Sequence, residues 1–314
     1  MSHSIESMSP LVRRVRAYFA PVNRAARQPT LFDPSQTGLF AFDTPPAPWI
    51  DLGWITKFAR HNGTKVLPVR SGAPATTYMQ ARTEIEATVE LNFESWGKLQ
   101  LSLSCGTQQL NLLRAAAGAM AAGSGTTAIP AAAINSGSTA TVLQLGDTAA
   151  AEFSVGQWVA VDVDYTGQTG YIGSGVSGAY LTTVLSDVDY VRRTTLNVAQ
   201  INAIANGSLT LNAPLLAGIP TSSMKACPVV GFCDREGSTF FQEWSALFVG
   251  EGQQGERVLW HYPRLQSLSG ASERLLASSG GYEKVELSGA FRALPVKDPV
   301  DGETVLCFRS YVAE

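Results

Sequence analysis

The stretch Thr83–Cys105, TEIEATVELNFESWGKLQLSLSC, decides how the chain is read. Ile85, Ala87, Val89, Leu91 and Phe93 occupy odd positions, and Glu84, Glu86, Thr88, Glu90, Asn92 and Glu94 occupy even ones. That period of two belongs to a half-buried β-strand. Leu99, Leu101, Leu103 and Cys105 keep the same parity, so the sequence predicts one long ribbon, bent near Trp96 and Gly97, with an oily face and a wet face. The oily face needs a second layer, and the ribbon's edges must pair or they become aggregation sites. Glu84, Glu86, Glu90 and Glu94 form an acidic stripe on the wet face; a solvated sheet surface accounts for it as readily as a functional one.

Working outward, 314 residues suffice for one large or two ordinary domains. Charged residues make up 16% of the chain and hydrophobic ones 45%, a low charge for a soluble monomer that points to self-association. A net charge of -3 gives no general attraction for nucleic acid or anionic lipid. No apolar run reaches the roughly 20 residues of a membrane helix, and the N-terminal residues lack a signal-peptide pattern, so folding in a cytoplasm is expected.

Residues 1–48 are rich in proline and carry Arg13, Arg14, Arg16, Arg24 and Arg27 with no acid between Glu6 and Asp33. They read as an extended N-terminal arm, either solvated or strapped onto a neighbour. Trp49 and Trp54 should anchor the first ordered strand, and Gly63, Gly72 and Pro74 punctuate short strands before the central ribbon. Thr107–Ala122 is the best helical window. From Ser124 to about Thr148 the composition turns to Ala, Gly, Ser and Thr, as in a linker. Phe153–Pro220 then reads as a small β unit, with a short helix expected at Ala199–Ala205. Strand-like runs return at Val229–Cys233, Phe240–Val249, Arg257–Pro263, Tyr282–Phe291 and Thr304–Arg309. The predicted fold is therefore mainly β: a sandwich or barrel domain with one helix, built from residues 49–114 and 221–314, with a small β domain inserted at 115–220.

Chemical motifs are weak. Gly173–Gly178 (GSGVSG) matches GxGxxG formally, but the following AYLTTV is β-like, and a phosphate cradle needs a helix there. Asp162, Asp164 and Gly167 resemble the start of a calcium loop, yet Gly173 stands where the bidentate Glu belongs. His3, His61 and His261 are too scattered to define a metal site, and no nucleophile elbow accompanies them. Glu84 and Glu86 could stand at a glycosidase-like separation, but no convergent partner supports acid/base work. Phe240, Phe241, Trp244, Phe248 and Trp260 are explained by core packing as well as by a ligand platform. Cys105, Cys227, Cys233 and Cys307 fit neither a disulfide scaffold nor a zinc pattern; Cys227 and Cys233 could lie close in space, and all are expected reduced. No cofactor and no catalytic residue is assigned.

The runs Trp49–Ile55 (WIDLGWI) and Glu86–Gln100 (EATVELNFESWGKLQ), with the returning strands Phe240–Val249 and Val285–Leu294, resemble the tail tube proteins of tailed bacteriophages. The resemblance covers the first and last parts of the chain and is one of strand order and style. It implies a virion protein, assembled in the host cytoplasm, that forms stacked hexameric rings with a continuous inner β-barrel. It also implies tail sheath, tape measure and tail terminator proteins as partners. Under it, Glu84, Glu86, Glu90 and Glu94 would line an acidic bore through which DNA passes without specific binding. Arg13, Arg14, Arg16, Arg24 and Arg27 would lie in an inter-subunit arm, and the insertion would decorate the outside of the tube or strengthen ring-to-ring contacts. A monomeric β-sandwich binding or adhesion module is the alternative; an enzyme is the weakest reading.

Overall fold

The computed structural model describes residues 11–22, 28–35, 41, 45–117, 129–162, 197–235, 242–253, 255–268, 272–277 and 280–312. The chain is mainly β. The elements in order are β1 (Val12–Pro21), β2 (Ile50–Ser71), β3 (Thr76–Phe93), α1 (Lys98–Cys105), β4 (Gln108–Leu113), β5 (Ala132–Ala133), β6 (Val142–Gln144), α2 (Asp147–Ala150) and β7 (Trp158–Asp162). They continue with β8 (Val198–Ala205), β9 (Ser208–Leu211), β10 (Lys225–Arg235), β11 (Glu243–Gly252), β12 (Arg257–Ser267), β13 (Ser272–Ala277), β14 (Glu283–Ala293), β15 (Val296–Lys297), β16 (Thr304–Val305) and β17 (Phe308–Val312).

Two compact units result. One comprises residues 1–22, 28–106 and 241–314, and the other residues 23–27 and 107–240. The expected limits at 114 and 221 are displaced because β4 pairs with β10, and β10 pairs in turn with β5 and β7, within the second unit.

In the first unit the sheet runs β13-β14-β3-β2-β1-β11-β12-β17, and β14 also pairs with β12. That extra pairing closes β14, β3, β2, β1, β11 and β12 into a barrel, which removes the edges those strands would otherwise present. Alternation fills its interior. Phe19 packs on Phe291, Phe248 and Trp244 with ring centroids 5.7, 5.9 and 6.4 Å apart, and Val89, Leu91, Phe248 and Tyr262 are buried with it. The odd-numbered apolar residues of Thr83–Phe93 do supply the inner face from Ala87 onward, whereas Ile85 is exposed.

Several local expectations are overturned. The N-terminal residues 12–21 are no arm: β1 lies between β2 and β11, and Ala17, Tyr18, Phe19 and Ala20 are wholly buried. The alternating pattern hid a strand that is covered on both faces, Ala17 and Phe19 inside the barrel and Tyr18 and Ala20 beneath Trp49 and Phe32. The first ordered strand is thus β1, and Trp49 and Trp54 belong to the second.

The ribbon also does not continue past Trp96, because residues 98–105 form α1. Gly106, at φ +64°, supplies the left-handed residue that ends a helix, a conformation costly for other residues. Leu99 and Leu103, four apart, share one helix face, and Leu103 is fully buried. The buried serines are satisfied rather than orphaned. Ser104 Oγ donates to the Ser288 carbonyl (2.5 Å), Ser267 Oγ donates to the Leu103 carbonyl (2.8 Å), and Gln242 bonds Ser102. These contacts seat the helix against β12 and β14.

In the second unit, residues 108–113 of the predicted helix are the strand β4, and residues 118–128 lie outside the described residues. The helix expected at 199–205 is the strand β8. It turns into β9 through Asn206 (φ 47°) and Gly207 (φ 70°), with Ala205 opposite Ser208. That is the two-residue hairpin for which Asn-Gly is the strongest short signal. Leu143, Val159, Val161, Ile201, Leu209 and Leu211 form its core, and a second cluster of Leu113, Ala160, Cys227 and Val229 packs on the opposite face of β7 and β10. Cys227 and Cys233 lie six residues apart on one strand, on the order of 20 Å, so they are not neighbours. All four cysteines are thiols.

Candidate assembly surface

β2 and β3 are each about twice as long as the barrel needs. β2 pairs with β1 only over Ile50–Ile55, and β3 pairs with β14 only over Thr88–Phe93. Beyond those limits, among the described residues, the two strands pair only with each other, out to Ser71 opposite Thr76. The result is a two-stranded arm, clear of the barrel from His61 opposite Thr88 to Ser71 opposite Thr76, on the order of 35 Å long. Every residue from His61 to Gln80 is exposed.

The exposed residues include Val66, Leu67, Val69, Tyr78 (79% exposed), Met79 and Ile85. Register sets Val69 opposite Met79, Leu67 opposite Ala81 and Thr64 opposite Ile85. Such pairs stabilise a ribbon by a few tenths of a kcal/mol to about 1 kcal/mol each. Against this stand Gly63, Pro68 opposite Gln80, and register shifts between Lys65 and Val66 and between Val69 and Arg70. A hairpin of two strands without a second layer is marginal in water.

A second, shorter arm is built from β13 and the first part of β14. Leu275 (66% exposed), Leu276, Tyr282 and Val285 stand on it in water. Leu287 pairs with Phe93 and Arg292 with Thr88, so β14 continues past the end of β3 where β3 stops. The two arms therefore leave the barrel at opposite ends.

The structure places the four glutamates differently from an unbroken acidic wall. Glu84, Glu86, Glu90 and Glu94 are all exposed, the first two on the arm, Glu90 in the barrel wall and Glu94 just past the end of β3. Glu84 faces Lys65 at 3.8 Å, and Glu86 is bound by Arg292 at 2.7 Å. Lys57 reaches Glu286 at 3.5 Å, and Arg274 stands opposite Glu286 in the β13–β14 register. Glu90 sits between Ala59 and Ala290. The face is one of interleaved charge, and exposed pairs of this kind contribute about 0–1 kcal/mol each.

The arginines are not gathered into a binding feature. Arg13 is exposed on β1. Arg14 stacks on Trp54 with 3.8 Å to the ring centroid and bonds Glu251 at 3.1 Å, while Arg16 pairs with Asp51. Arg24 and Arg27 lie outside the described residues, as do His3, Phe240, Phe241, Asp164, Gly167 and the 173–178 glycine motif. Asp162 is buried at the end of β7. His61 is exposed on the arm opposite Thr88, and His261 is buried in the barrel wall. Trp244 and Phe248 are core residues. Among the described residues no group of His, Cys, Asp and Glu could hold a metal, and no helix is long and apolar enough to cross a membrane.

The arm was not legible as such in the sequence, where Gly63, Gly72 and Pro74 read as breaks between short strands. Its one signal was the turn-forming SGAPA at 71–75 between two β-prone flanks. No family model matches the chain, and no curated protein matches it.

Proposed function

We propose that this chain is a structural subunit that polymerises with copies of itself, forming the stacked hexameric rings of a phage-type tail tube. The observation that supports the reading is the arm: twenty consecutive residues, His61–Gln80, exposed on a strand-turn-strand ribbon whose outer edges pair with no other described strand, attached to a barrel that is otherwise closed. A sheet edge is completed at least cost by another strand, and a heterologous contact between two different edges closes into a ring when its rotation allows. Two arms leaving opposite ends of one barrel give each copy two different edges to offer.

The interleaved charges of the sheet face carrying Glu84, Glu86 and Glu90 suit a bore wall. A surface without an uncompensated basic stripe releases few counterions and does not hold a polyanion, so DNA slides past it. Tail sheath, tape measure and tail terminator proteins would then be the partners of the tube, and the virion its location. No bond-making chemistry is assigned.

Light scattering on the full chain across a concentration series, followed by negative-stain microscopy, tests this reading. Rings or tubes with a central channel are the expected result. A stable monomer at every concentration overturns it and favours a binding module.

A further inference from the structure

His261 occupies an unusual place in the barrel wall. It lies on β12 with its side chain on the outer face, and it is 3% exposed. Its Nδ1 is 3.1 Å from the Ala246 carbonyl, which can only accept, so Nδ1 carries the proton. Its Nε2 lies 3.3 Å from the Phe32 amide, which can only donate, so Nε2 is the unprotonated acceptor. Both nitrogens are committed to the neutral ring. Trp49 meets the imidazole edge-on at 5.8 Å and Phe308 stacks on it at 6.0 Å.

One neutral ring thereby fastens two peripheral segments. Residues 28–35 cross the outer face of the barrel, held further by the Thr30 amide donating to Ser245 Oγ at 2.8 Å and by Phe32 against Trp49. β17 pairs with β12 over Arg257–His261 and ends the sheet. Beneath them lies an apolar patch of Tyr18, Ala20, Leu247, Val249 and Leu259.

We propose that His261 is an acid-sensitive pin: a proton on its Nε2 frees residues 28–35 and β17 from the barrel and uncovers the apolar patch. A protonated Nε2 turns an acceptor into a donor facing the Phe32 N–H, so that hydrogen bond is lost. The charged ring then needs water. β11 and β12 are held within the closed barrel, whereas the two covers are attached along one side, so the covers give way.

Among the described residues, the charged groups of the surrounding elements are engaged elsewhere. Asp33 on the 28–35 segment accepts from the Ser35 amide and hydroxyl. Arg309 on β17 has the opposite parity from Phe308. Glu243 on β11 is bound by Arg264 of β12, and Arg16 on β1 is bound by Asp51 of β2. Cys307, just before β17, is a thiol whose burial raises its pKa. Burial lowers the imidazole from 6.5 to about 4, the Ala246 bond opposing this in part. The unfolded chain therefore takes up the proton first: the closed form is fully favoured above pH 6.5 and loses that preference as pH falls towards 4.

Amide exchange on the full chain at pH 7 and pH 4.5, corrected for intrinsic rate, tests the pin, with an apolar-surface dye alongside. Exchange in residues 28–35 and 308–312 is expected to rise tenfold or more at the lower pH, with dye binding, while β1 and β11 stay protected. His261→Gln, which cannot charge, should remove the difference between the two pH values. Equal acceleration in His261→Gln, or none in the natural chain, overturns the proposal. Should His261→Gln fail to fold, nitrogen NMR of the natural chain's histidines decides instead: release while Nε2 is still unprotonated overturns it, and release that tracks its protonation supports it.

Discussion

The two ends of β3 belong to one strand and obey one alternation, yet they live in different surroundings. From Ala87 to Phe93 every odd residue is buried against the aromatic interior of the barrel, whereas from Thr76 to Gln80 odd and even residues alike are exposed. The barrel end is completed by this chain's own strands, and the arm end is completed by none of the described ones. The difference separates two sources of order. Packing stabilises the first, at about 25 cal/mol for each Å² of apolar surface buried, and this term is absent from the second. A strand pattern alone does not say which of the two it belongs to.

The contrast yields graded expectations. Phe19→Ala removes a ring that meets Phe291, Phe248 and Trp244 in the barrel, and should cost about 3–5 kcal/mol in urea unfolding. A loss under 1 kcal/mol would mean that the barrel is not the stable body. Gly106→Ala forces a left-handed residue and sets its Cβ 2.9 Å from that of Ser267, so a loss of about 1–2 kcal/mol is expected, measured as a fall in urea midpoint. Unchanged stability there would show that α1 does not need its cap. On the arm, Leu67→Ser and Met79→Ser should each shift stability by no more than about 0.5 kcal/mol, since neither side chain is buried within the chain. A large loss would place the arm in the core and erase the comparison.

The β class was legible because apolar residues at Ala87, Val89, Leu91 and Phe93 have a wall to face, and the alternation records it. The same alternation misled beyond Trp96, where Leu99, Leu101 and Leu103 continue the parity. There the Gly106 cap and hydrogen bonds from Ser267 and Gln242, far away in sequence, favour a helix. β1 was hidden for a different reason: Arg13, Arg14 and Arg16 look like a solvated tail until Trp54, Glu251 and Asp51 are brought beside them by folding. The helix expected at Ala199–Ala205 rests on helix-prone alanines, whereas the Asn206-Gly207 turn that follows them makes that stretch the first strand of a hairpin. The glutamates of the acidic stripe are exposed, but the basic partners Lys65 and Arg292 come from β2 and β14, and only the register reveals them.

The central claim is that the arm exists to be completed by another copy. Sedimentation velocity on the full chain, compared with a Leu67→Asp, Met79→Asp double variant over the same concentrations, tests it most directly, with thermal unfolding of both recorded. The account predicts that the natural chain sediments as rings or larger assemblies while the double variant stays a single subunit that still unfolds cooperatively, losing only the stabilisation that assembly adds. Assembly of the variant to the same extent as the natural chain would contradict it.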